Sequence, residues 1–163
     1  MLTDRRHRRA RARAWLARHP AIERFLRRTG CLSVHRHALA RGVAVGLFIG
    51  LTPTVGFQTV LMLAACFLLR ANFPAAFLAS WVSNPLTVAP LYIVYHLIGE
   101  AIFGGIINSL FQLTHIVAEA IAETVYLALG SLLIALPAAA LGYALSLAVH
   151  RLVALRRLRA RQG

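Results

Sequence analysis

Residues 46–69 read GLFIGLTPTVGFQTVLMLAACFLL, an apolar run of helix length with Thr52-Pro53-Thr54-Val55-Gly56 at its centre. Proline removes a backbone donor and clashes with the preceding turn, and glycine weakens a helix further. A membrane-like segment that carries a helix breaker in its middle is either a kinked span, which membrane helices tolerate, or two pieces divided by a break. The polar Thr52, Thr54 and Gln58 around it favour the break. Split there, the pieces 43–51 and 57–69 would be about 14 and 20 Å long as helices, close to half a bilayer each. The next apolar block, 73–99, is interrupted in the same way by Ser83-Asn84-Pro85, with Pro90 following. Backbone that leaves the helix at membrane depth must be satisfied by protein or water. A pair of Gly/Pro-interrupted apolar segments is also a sequence pointer to a site built from broken helices.

Composition supports a membrane setting. Of 163 residues, 59% are hydrophobic and the mean hydropathy is +0.68, against roughly 45–50% apolar residues in ordinary soluble domains. Residues 42–149 hold only four charged side chains, Arg70, Glu100, Glu119 and Glu123. Twelve arginines precede Gly42, five follow Val149, and lysine is absent. A net charge of +13 could serve nucleic acid, but basic residues packed against apolar segments are what cytoplasmic flanks require. The partners expected of the arginine-rich termini are therefore anionic lipid headgroups, and nucleic acid is not expected. Cys31 and Cys66 form no disulfide framework and no metal spacing. The N-terminal stretch is arginine-rich and acid-poor like a transit peptide, but reads more simply as a juxtamembrane helix with Trp15, Leu16, Ile22, Phe25 and Leu26 at the interface. No apolar stretch of secretory-signal length precedes residue 42.

Three regions follow: a basic cytosolic segment (1–41), a membrane-embedded domain (42–149) and a basic tail (150–163). Within the middle region, Gly42, Gly46 and Gly50 share a small-xxx-small spacing, and Ala138, Gly142 and Ser146 repeat it. Such stripes let helix backbones approach closely in lipid, and could serve contacts within the chain, a homo-oligomer or another membrane protein. Residues 101–123 read as one amphipathic helix, with Ile102, Ile106, Leu110, Leu113, Val117 and Ile121 on one stripe and Asn108, Gln112, His115, Glu119 and Glu123 on the other. His96 and Glu100 lie one turn apart, a pair that can face headgroups or relay protons.

Charge sets the expected topology. Both termini are basic, so both belong in the cytoplasm and the number of crossings is even. If 42–69 is a re-entrant hairpin, Arg70 joins Arg41 on the cytoplasmic side, 73–99 crosses outward, 101–123 lies outside and 124–149 returns. If 42–69 crosses instead, four crossings are needed and Arg70 lies outside.

The stretches ALARGVAVGLFIGLTPTVGFQT and NFPAAFLASWVSNPLTVAPLYIVYHLIG together resemble the DUF2062 family of small prokaryotic integral membrane proteins. The resemblance covers roughly residues 36–149 and places Gly46, Gly50, Pro53, Gly56, Gln58, Asn72, Pro74, Asn84, Pro85, Thr87, Pro90, Tyr92 and Gly99 on the family pattern. It implies a bacterial inner-membrane protein and supplies no established activity. Some relatives resemble fusions with glycosyltransferase domains, a hint toward envelope lipid or sugar metabolism.

The expected fold is thus an all-α integral membrane protein, a helical bundle with two Gly/Pro-interrupted segments. The expected site is a polar pocket where the breaks meet, lined by Thr52, Pro53, Gly56, Gln58, Asn84, Pro85 and Thr87. Gly42, Gly46, Gly50 and Gly142 are expected to pack helices. Transport or translocation of a lipid or anionic solute is one function such a pocket would serve. The other is a non-catalytic scaffold or accessory role in envelope biogenesis, in which the polar break residues satisfy one another. No catalytic set, metal cluster, cofactor motif or phosphate-binding glycine loop is present.

Overall fold

A computed structural model describes residues 31–54, 56–110 and 116–159, and among these every regular element is helical. Five α-helices follow in order: α1 Arg36–Gly50, α2 Gln58–Leu68, α3 Phe73–Ala79, α4 Val88–Leu110 and α5 Ile116–Arg159. A 3-10 turn, Ser80–Val82, continues α3. The juxtamembrane helix expected before residue 31 lies outside the described residues. The expected boundaries at 41/42 and 149/150 fall inside α1 and α5.

α1 and α2 form a helical hairpin around the Thr52–Gly56 break, where Gly56 takes the left-handed φ of +93° that the turn needs. The chain then returns to the start of α1, since the Asn72 N–H donates to the Ala38 carbonyl at 2.9 Å. α2 ends in a Schellman motif, with Ala71 N–H donating to Cys66 O at 2.9 Å and Arg70 N–H to Phe67 O at 3.4 Å. Arg70 occupies the left-handed position of that motif, φ 48°, where glycine is the usual residue. The side chain is retained there at a conformational cost of about 1–2 kcal/mol.

α3 runs parallel to α1 along the glycine stripe. A Cβ on Gly42 would meet the Asn72 carbonyl, one on Gly46 the Ala76 carbonyl, and one on Gly50 the Ser80 backbone. Each step of four residues in α1 is matched by four in α3, so the stripe is a seam within the chain. Behind it lies the core, formed by Cys31, Val45, Ile49, Met62, Cys66, Ala71 and Ala76.

α4 and α5 pair antiparallel through a second, reciprocal seam. Gly99 abuts the Tyr126 backbone and Gly130 the Tyr95 backbone, each too closely for a Cβ. This pairing corrects the reading of 101–123 as one amphipathic helix. Residues 101–110 end α4 and 116–123 begin α5, two separate helices that run antiparallel. The spacing of the two stripes in the sequence stays in phase from one helix to the next, which is why periodicity alone joined them.

α5 carries both halves of the molecule. Its 44 residues extend about 66 Å. Its N-terminal half packs on α4, and its C-terminal half packs antiparallel on α1, where Gly142 meets the side chains of Leu47 and Val43. At the far end of α1, the Tyr143 hydroxyl lies 3.3 Å from His37 Nδ1. Segments Val88–Ile107 of α4 and Glu119–Arg156 of α5 are long and apolar enough to cross a membrane. Their outer faces are uncovered: Ile93 is 61% exposed, Leu97 58%, Leu141 62% and Leu145 63%. Core helices of a soluble domain would bury such residues.

Candidate functional site: two helix breaks and an apolar groove

The first break begins where α1 runs out of donors for its last carbonyls. Thr52 and Thr54 supply them. Both hydroxyls donate to Ile49 O, at 3.0 and 3.3 Å, and the Thr52 N–H donates to the same oxygen at 3.3 Å. Thr54 N–H bonds Thr52 O, and Phe57 N–H bonds Thr54 O, closing the turn.

At the second break, Asn84-Pro85-Leu86-Thr87 forms a capping box for the helix that becomes α4. Asn84 Oδ1 accepts from Leu86 N–H at 2.9 Å and Thr87 N–H at 3.1 Å. Thr87 Oγ1 accepts in return from Asn84 N–H at 2.9 Å. Pro85 stands at the first position after the cap, where its missing N–H costs nothing. The Thr87 hydroxyl also donates to Val82 O at 2.7 Å, bridging the end of the 3-10 turn to the new helix. Asn and Thr at this spacing are a cap signature that sequence alone could have offered.

The breaks lie at one level, since Gly50 touches Ser80, but their hydrogen bonds stay within their own segments. Of the expected site residues, Asn84 and Pro85 border a surface cavity of about 480 Å³ with Trp81, Ser83 and Leu86. Thr52 borders a different one. Pro53, Gly56, Gln58 and Thr87 line neither.

That different cavity is a groove of about 590 Å³ between α1, α2 and α5, walled by Ala44, Phe48, Leu61, Ala65, Leu132 and Ala139 and ending at Thr52 and Thr54. It exists because three facing helices each present an alanine. No sequence pattern marks it, since the three alanines come from separate elements.

Two further polar features lie outside the expected pocket. Asn72, 5% exposed, caps α3 by accepting from Ala75 N–H at 2.8 Å, and its amide donates to Ser33 O at 2.9 Å. His96 Nε2 lies 2.5 Å from Glu123 Oε2 and its Nδ1 lies 3.8 Å from Glu100 Oε2, joining α4 to α5. Among the described residues no group of His, Cys, Asp and Glu could hold a metal ion.

Removing the Asn84 amide as Asn84→Leu is expected to lower thermal stability in detergent, at about 0.5–2 kcal/mol for the lost cap. In a double-mutant cycle with Pro53→Ala the coupling should be near zero, because the breaks do not share bonds. The pocket expected from sequence would couple them, so a coupling above about 0.5 kcal/mol would restore it.

Fold and site together describe an all-helical protein with two helices of membrane-crossing length and internally capped breaks. The chain matches, over residues 20–159, the family described as "Uncharacterized protein conserved in bacteria (DUF2062)". It belongs to that family. No curated protein and no solved structure matches it.

Proposed function

We propose that this is a multi-pass protein of the bacterial inner membrane, with both termini cytoplasmic, that acts as a non-catalytic structural or accessory module. The observation that carries this reading is the local satisfaction of the polar break residues. Thr52, Thr54, Asn84 and Thr87 spend their hydrogen bonds on their own backbone, which is what lipid demands of a chain that leaves the helix. A solute pathway would leave such groups free to face a shared polar cavity.

The charge pattern supports one placement of the bilayer along α5. Residues 124–149 are free of charge over 26 positions, about 39 Å, against about 30 Å of hydrocarbon or 40–45 Å with interfaces. Glu100, Glu119, Glu123 and His96 bound this zone at one end; Arg36, Arg41, Arg70 and Arg151 bound it at the other. Residues 42–50 of α1 reach about 14 Å into it, and α2 returns to the arginine side. In this placement the α1–α2 hairpin is re-entrant, and α3 with the first half of α4 makes one crossing broken near mid-membrane.

Cysteine labelling tests the layout. In a background with Cys31 and Cys66 replaced by alanine, a cysteine at Arg70 is expected to resist an impermeant maleimide added outside and to react in inverted vesicles. A cysteine at Gly105, beyond the acidic belt, should behave in the opposite way. Labelling of position 70 from outside would replace the hairpin with four crossings.

A further inference from the structure

We propose that the groove between α1, α2 and α5 holds one acyl chain of an anionic phospholipid, with the headgroup at its arginine end. The inference goes beyond a structural role but rests on the hairpin entering the membrane from the arginine side.

The shape of the groove selects the occupant. Its wall is carbon along its length, so a polar solute would find no donor or acceptor except at the threonine end. It runs along α1 from Ala44 to Thr52, about 12 Å. A helix about 10 Å across would need roughly 900 Å³ over that distance, more than the 590 Å³ present. One extended hydrocarbon chain needs far less width. The volume also falls within the roughly 300–1,000 Å³ of small-molecule sites. Walls on three helices would hold such a chain more firmly than a flat protein face holds ordinary bilayer lipid.

Charge selects the headgroup and its direction. Ala44 lies one turn above Arg41 on α1, and Leu69, which lines the groove, adjoins Arg70. Arg41 is fixed by its own Nε, which donates to His37 O at 3.2 Å. Guanidinium groups match phosphate oxygens in geometry as well as charge. At the other end the Thr52 and Thr54 hydroxyls donate to Ile49 O, leaving the chain terminus no competing polar donor. Arg70 keeps its strained left-handed backbone at the headgroup end of the groove.

Native mass spectrometry of the full chain in mild detergent, with equal amounts of phosphatidylglycerol and phosphatidylcholine added, tests this. The wild type is expected to retain one phosphatidylglycerol. Ala65→Phe and Ala139→Phe, which fill the groove from opposite walls, should each lower retention at least about tenfold, a 1.4 kcal/mol change. Leu145→Phe, on the outward face of α5, should leave it unchanged. Arg41→Gln and Arg70→Gln should keep a bound lipid but lose the preference for phosphatidylglycerol, by about fivefold per arginine. Lyso-phosphatidylglycerol should displace the lipid and glycerol phosphate should not, which separates a lipid site from a free-phosphate site. Melting curves identify a filled variant that fails to fold, and the arginine variants leave the groove walls intact. Several adducts that rise with lipid concentration and ignore both alanine substitutions would overturn the proposal. So would phosphatidylcholine retained equally by the wild type. Neither result depends on which side of the membrane position 70 occupies, so failure here is distinct from failure of the topology.

Discussion

Gly46→Leu is expected to prevent α1 and α3 from packing, with a loss of about 3 kcal/mol or more, at the upper end of overpacking costs. The reason is the partner: the added Cβ would meet the backbone carbonyl of Ala76, which cannot move aside as a flexible side chain could. Gly130→Leu should behave alike, because its Cβ would meet the Tyr95 carbonyl. Gly105 supplies the control. A Cβ there meets nothing, so Gly105→Ala within α4 should stabilise by about 0.5–1 kcal/mol through helix propensity alone. Thermal unfolding in detergent of the three variants checks the pattern. Equal small effects at all three would mean that the close seams are not sites of real contact.

Asn72→Leu is expected to cost about 2–4 kcal/mol, combining a lost helix cap with buried backbone groups left unpaired. Its side chain satisfies Ala75 N–H and Ser33 O, while its backbone N–H reaches Ala38 O. One residue thus ties α3, α1 and the incoming chain into a single node. Asn72→Asp keeps the cap and loses the amide donor to Ser33, and should recover part of the loss. Asn72→Leu with a melting temperature equal to wild type would show that water replaces these bonds and that the node is not enclosed.

The division between α1 and α2 was legible in the sequence because Thr-Pro-Thr-Val-Gly combines two strong helix breakers with donors able to satisfy what they free. The glycine stripe was legible as a packing face, but its partner was not, since a spacing of four shows a seam without naming the other side. The division of 101–123 between two helices was hidden because Ile102, Ile106 and Ile121 keep one helical phase in the sequence. Asn84 and Thr87 show a more general difficulty, since both cap a helix while Asn84 also borders a surface cavity. Residue type tells which atoms can bond, but whether the partner is a ligand or the adjacent backbone depends on the local turn geometry. The groove was invisible for a simpler reason: Ala44, Ala65 and Ala139 say nothing until three helices face one another.

Pro137 gives α5 a mechanical character that its unbroken length conceals. It lies between Leu132 and Ala139, the two α5 residues that line the groove. Lacking an N–H, it cannot donate to the carbonyl of Leu133, so the helix resists bending least at this point. Above it α5 is clamped to α4 by Gly99 and Gly130, and below it to α1 at Gly142. The helix is therefore two stiff arms joined at a compliant joint. Bending at that joint with both clamps closed would move Leu132 against Ala139 and so change the width of the groove.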